Sequence, residues 1–123
     1  MSEVKNFDAC ITGGGLAGLA LSIQLAKLGY SVALFEKEQY PFHKVCGEYI
    51  SLESWNFIEE LGFPLSGSQL PMIKKLIVTA PNGNELKQEL PLGGFGISRY
   101  KLDAGLKDIA IANKVAVFEN CKV

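Results

Sequence analysis

The segment Gly13-Gly14-Gly15-Leu16-Ala17-Gly18 constrains this chain more than any other. A short apolar run, Phe7 to Thr12, precedes it. A stretch with Leu16, Leu19, Ala20, Ile23 and Ala26 at helical spacing follows. A strand that turns through glycines straight into a helix is the phosphate-binding opening of a βαβ unit. Three of the glycines have a physical job there. Gly13 permits the tight turn, Gly15 lets the backbone approach a pyrophosphate, and Gly18 lets the helix lie close on the sheet. The helix N-terminus offers unpaired N–H groups and a partial positive charge to phosphates. Gly29 falls at the helix C-terminus, and Ser31 to Glu36 forms the second strand. The crossover is expected to be right-handed.

Glu36 ends that second strand at the ~20-residue spacing of an acidic ribose ligand. A carboxylate there accepts from both ribose hydroxyls of an adenosine and repels a 2′-phosphate, which favours FAD or NAD over NADP. The bland alternatives are glycines that only shape a turn and a solvated carboxylate at a strand end. Strand, turn, helix, strand and acid in that order outweigh both.

Composition narrows the rest. A chain of 123 residues has room for one compact domain. Hydrophobic residues at 48% and charged residues at 20% are those of a globular protein. A net charge of −1 offers no basic surface for nucleic acid. Cys10, Cys46 and Cys121 form no CxxC pair, and His43 is the single histidine, so neither a zinc site nor a disulfide framework is expected. The apolar stretch from Ala9 to Leu28 is broken by glycines and polar residues, which suits a turn and helix better than a membrane span. A cytoplasmic protein is expected.

Beyond Glu36, Lys37 to Gly47 is a loop, and Ser51 to Leu61 is a helix with Leu52, Trp55, Ile58 and Leu61 on one face. Phe63 to Pro71 is irregular. Ile73 to Ala80 and Glu85 to Leu90 flank the turn signal Pro81-Asn82-Gly83-Asn84 and form an antiparallel hairpin. Leu92-Gly93-Gly94-Phe95-Gly96 is expected to be flexible. Tyr100 to Asn113 is helical, although Gly105 costs about 1 kcal/mol against alanine. Val115 to Phe118 is a last strand. The segments are thus a βαβ unit over 7–36, a loop and helix over 37–62, a hairpin over 72–91, and a helix and strand over 99–119. Cys10 and Trp55 are expected in the core, Cys121 is expected to be inert, and His43 and Lys74-Lys75 are expected in solvent.

Two further segments carry a family resemblance. Pro41-Phe42-His43-Lys44-Val45-Cys46-Gly47 resembles the Pro-Arg-x-Lys-x-Cys-Gly motif of geranylgeranyl reductase-like flavoproteins. These are grouped with the para-hydroxybenzoate hydroxylase-like monooxygenases. Pro41, Lys44, Cys46 and Gly47 match, while Phe42 replaces an arginine. Arg99-Tyr100-Lys101-Leu102-Asp103-x-x-Leu106 is similar to the same family's Arg-x-x-(Phe/Leu)-Asp-x-x-Leu signature. The resemblance implies an α/β, Rossmann-like FAD/NAD(P)-binding parallel sheet, incomplete here, with a hairpin from the base of a substrate domain. It implies FAD contacts from Cys46, Gly47 and Arg99, and an adenine contact where Val123 stands. With the turn and the strand end, the expected cofactor-binding set is Gly13, Gly15, Ala17, Gly18, Glu36, Lys37, Cys46, Gly47, Arg99 and Val123.

The resemblance covers about the first third of a typical member and lacks its later glycine-aspartate segments. The sequence is therefore expected to be an N-terminal fragment, inactive alone, of an FAD-dependent oxidoreductase or monooxygenase. NAD(P)H is the expected reductant of that parent enzyme, and a small molecule, aromatic or isoprenoid, its substrate. A membrane surface enters only with a lipid substrate. No catalytic acid or base stands out. The alternatives are an NAD-dependent dehydrogenase domain and a non-catalytic nucleotide-binding domain.

Overall fold

The computed structural model describes residues 3–123. Two three-stranded sheets share one core. The first is parallel, with strands β1 (Ala9–Thr12), β2 (Val32–Phe35) and β6 (Ala116–Phe118) in the order β1-β2-β6. The second is antiparallel, with β3 (Tyr49–Ser51), β4 (Met72–Thr79) and β5 (Glu85–Gly96) in the order β3-β5-β4.

Helix α1 (Leu16–Lys27) joins β1 to β2, as the apolar spacing requires. Leu19 and Ile23 are fully buried beneath it against Val32 and Leu34 of β2. Gly29, at φ +91°, takes the left-handed conformation that ends the helix. Helix α3 (Arg99–Ala112) starts at Ser98, whose side chain accepts from the Lys101 N–H, and it buries Leu102, Leu106 and Ala110. Gly105 sits inside α3 because a Cβ there would run into the ring of Phe63. The local helix cost of that glycine is the condition for close packing.

Three expectations need correction. Only Trp55–Leu61 of the second helix is α-helical, and we label it α2. Ser51 ends β3 instead, and its side chain accepts from the Glu53 N–H to open a 3-10 turn over Leu52–Ser54. The segment Leu92 to Gly96 is strand, because β5 continues through it and pairs with β3. Phe95 is fully buried there, edge-on to Trp55 with ring centres 5.0 Å apart. Gly94 reflects close approach rather than flexibility, since a Cβ would strike the Tyr49 ring. Finally, Cys10 is exposed, because β1 alternates half-buried and exposed positions and Cys10 points outward.

Candidate functional site

The glycine turn leaves β1 at Thr12 and delivers the chain to α1 at Leu16. Gly13 has φ +94°, a conformation that side chains rarely adopt. A Cβ on Gly18 would land on the Gly13 carbonyl oxygen, so this glycine sets how closely α1 meets the turn. Gly14, to which sequence reasoning gave no task, is equally constrained. A Cβ there would overlap the Tyr40 hydroxyl. That hydroxyl donates to the Gly14 carbonyl. Burial, and then the Glu36, Asp103 and Glu119 carboxylates, push the Tyr40 phenol above its ordinary value, so it stays a neutral donor.

Glu36 is 5% exposed at the end of β2. Its Oε2 accepts from the Gly14 N–H at 2.7 Å and its Oε1 from the Glu38 N–H at 3.0 Å. A carboxylate offers about four lone-pair sites, so roughly two remain, one on each oxygen. That matches the two hydroxyls of a ribose diol. The same carboxylate thus clips the turn and presents acceptors beside it.

A cavity of about 360 Å³ opens between these parts. The sequence-derived Gly13, Gly15, Glu36, Lys37 and Val123 line it, joined by Thr12, Phe35, Phe42, Lys44, Cys121 and Lys122. Gly15 faces a cradle that a side chain would fill. A Cβ there would lie 3.2 Å from Lys44 Nζ and 4.0 Å from Arg99 Nη2. Backbone and two cations therefore converge where the turn would meet a pyrophosphate. This donor and acceptor set fits an adenosine diphosphate moiety.

Other expected residues lie apart from this cavity. Ala17 is exposed and lines a separate, mainly apolar hollow with Leu16, Ala20, Ile50 and Phe57. Gly18 supports the turn from behind. Cys46 and Gly47 are exposed beyond the cavity, and Cys46 Sγ accepts from the Glu48 N–H at 3.4 Å. Arg99 does not line the cavity but stands near Gly15, with its guanidinium locked onto Asp103. Those hydrogen bonds raise Arg99 above its ordinary value against the opposing effect of burial, and Cys46 adds in the same direction.

Sequence reasoning missed Tyr40, Asp103 and the second wall at Cys121 and Lys122. Asp103 carried a signal, being four residues beyond Arg99 on one helix face. Tyr40 carried none. Among the described residues, no cluster of His, Cys, Asp or Glu could hold a metal ion, and no helix is long and apolar enough to cross a membrane.

Fold and site together define a class: a dinucleotide-binding, Rossmann-like segment. The family model for an NAD(P)-binding Rossmann-like domain matches residues 11–48, which hold the glycine turn, Glu36 and Lys44. The chain is 40% identical over 63 residues to a 1H-pyrrole-2-carbonyl-[peptidyl-carrier protein] brominase of Pseudoalteromonas luteoviolacea, covering 50% of this chain and 15% of the brominase. The fold superposes on the flavin-dependent brominase Bmp2 with a TM-score of 0.73 at 25% identity, over 92% of this chain and 29% of that one. It also matches the fold of a geranylgeranyl bacteriochlorophyll reductase-like protein from Thermoplasma acidophilum, with a TM-score of 0.72 at 21% identity. That match covers 93% of this chain and 30% of the other. The chain therefore spans less than a third of the length of each of these relatives.

Proposed function

We propose that this chain binds FAD and serves as the cofactor-binding segment of a flavin-dependent oxidoreductase. One observation carries the reading. The glycine turn, the partly satisfied Glu36 carboxylate and Lys44 line one cavity large enough for part of the adenosine diphosphate half of the cofactor, and Arg99 stands beside Gly15. Thr12, Gly13 and Gly15 form its floor, Glu36 orients the ribose, and the cations offset the phosphate charge.

Bound flavin supplies the redox chemistry. The residues of this chain bind and orient it. NAD(P)H is the proposed reductant, and a small aromatic or isoprenoid molecule the proposed substrate, acted on by monooxygenation or reduction. A relative named as a brominase of a carrier-bound pyrrole supports an aromatic substrate. A cytoplasmic location is proposed with it.

FAD titration, followed by quenching of flavin fluorescence, tests the reading. Wild-type protein should bind FAD, and Glu36→Ala should bind it at least about tenfold more weakly, as expected for loss of hydrogen bonds to a charged acceptor. Wild type that binds no FAD, or Glu36→Ala with unchanged affinity, contradicts it.

A further inference from the structure

Asp103 is a buried carboxylate, 2% exposed, one helical turn beyond the first residue of α3. It holds two cations at once. Arg99 Nε donates to Oδ1 at 2.9 Å, and Arg99 Nη2 donates to Oδ2 at 3.0 Å. Lys44 Nζ stands 3.8 Å from Oδ2. Lys44 comes from the loop before β3 and Arg99 from α3, so Asp103 is the group that brings the two segments together. Lys44 Nζ also lies over the ring of Phe42, which stands in place of the arginine of the resembled motif, at 5.0 Å from its centre.

The bidentate lock uses the Nε hydrogen and one on Nη2. A guanidinium has five N–H donors, so the lock leaves about three, one of them within reach of Cys46. Both cations flank the open face of Gly15. With charges of +1, +1 and −1, the triad keeps a net positive charge beside the glycine turn.

We propose that Asp103 is a positioning residue for diphosphate recognition: its carboxylate fixes Arg99 and Lys44 over Gly15 so that both face the pyrophosphate of the nucleotide. The proposal deepens the FAD reading and rests on its adenosine diphosphate part alone. It also runs against simple electrostatics. A carboxylate close to a diphosphate repels it, so Asp103 helps binding only if geometry outweighs charge.

Calorimetric titration of the 123-residue chain with ADP and with adenosine tests this. Wild type should bind ADP more tightly than adenosine. Asp103→Asn and Lys44→Met should each weaken ADP binding about tenfold or more and leave adenosine binding within about twofold. A loss confined to ADP is not what general damage to the fold produces. Asp103→Asn with retained circular dichroism and equal or tighter ADP binding overturns the proposal. If Asp103→Asn does not fold, the half-exposed Lys44 decides, and Lys44→Met with unchanged ADP affinity overturns it. Wild type that takes up ADP in an Asp103-dependent way but not FAD leaves this proposal standing and removes the FAD reading. Wild type that binds neither overturns both.

Discussion

The glycine turn and the distal hairpin are built from equally strong local signals, yet they are held in different ways. Around the turn, nearly every feature has a tertiary partner. Glu36 accepts the Gly14 N–H, Tyr40 donates to the Gly14 carbonyl, and Gly18 makes room for the Gly13 oxygen. In the hairpin, Leu76, Ile77, Val78 and Leu86 are all substantially exposed, and the ladder from Lys75↔Glu89 to Thr79↔Glu85 is mostly backbone. Strand β5 joins both regimes, from the exposed Glu85 to the buried Phe95. A turn sequence therefore fixes the path of a chain, whereas burial fixes how much a substitution costs.

Substitutions can break or sharpen that contrast. The largest effect is expected for Phe95→Ala. It should cost about 3–5 kcal/mol in urea unfolding, because it empties a fully buried aromatic site against Trp55. A loss below about 1 kcal/mol would show that the inner end of β5 is no better anchored than the outer. Gly18→Ala comes next, at about 2–3 kcal/mol, because the new Cβ meets backbone that can yield only if α1 shifts.

Tyr40→Phe should cost about 1 kcal/mol near neutrality by removing the hydrogen bond to Gly14. It should also change the alkaline limb of the stability curve. The folded state holds the Tyr40 phenol above its ordinary value of 10.0. Its contribution is complete below that pH and is lost as pH rises beyond it towards the folded-state value, because the unfolded chain ionises first. Wild type should therefore lose stability more steeply above about pH 10 than Tyr40→Phe. Parallel curves would remove Tyr40 as the cause. The smallest effect is expected for Leu86→Ala, within about 0.5 kcal/mol, since the side chain is 62% exposed. A larger loss would mean that the hairpin's apolar face is covered.

Much of this was legible because helical and strand periodicity are local. The βαβ unit and α3 follow from apolar spacing, and the turn and Glu36 from their order along the chain. What stayed hidden depends on distant partners. Gly94 looks like a hinge until the Tyr49 ring is seen against it, and Gly105 looks like a defect until Phe63 occupies its missing side chain. Cys10 was expected in the core because apolar runs carry no information about which face of an outer strand is covered. In the site, Asp103 could have been paired with Arg99 by spacing alone, whereas the approach of Tyr40 to Gly14 spans 26 positions of sequence with no repeating pattern to announce it.

The clasp between Glu36 and Gly14 has a kinetic consequence. A turn already held by the carboxylate that would receive the ribose need not rearrange before a nucleotide arrives. Association should then follow a single exponential whose rate rises linearly with nucleotide concentration, without the plateau that a slow refolding of the loop would impose. Selectivity among nucleotides would be expressed in how long each one stays.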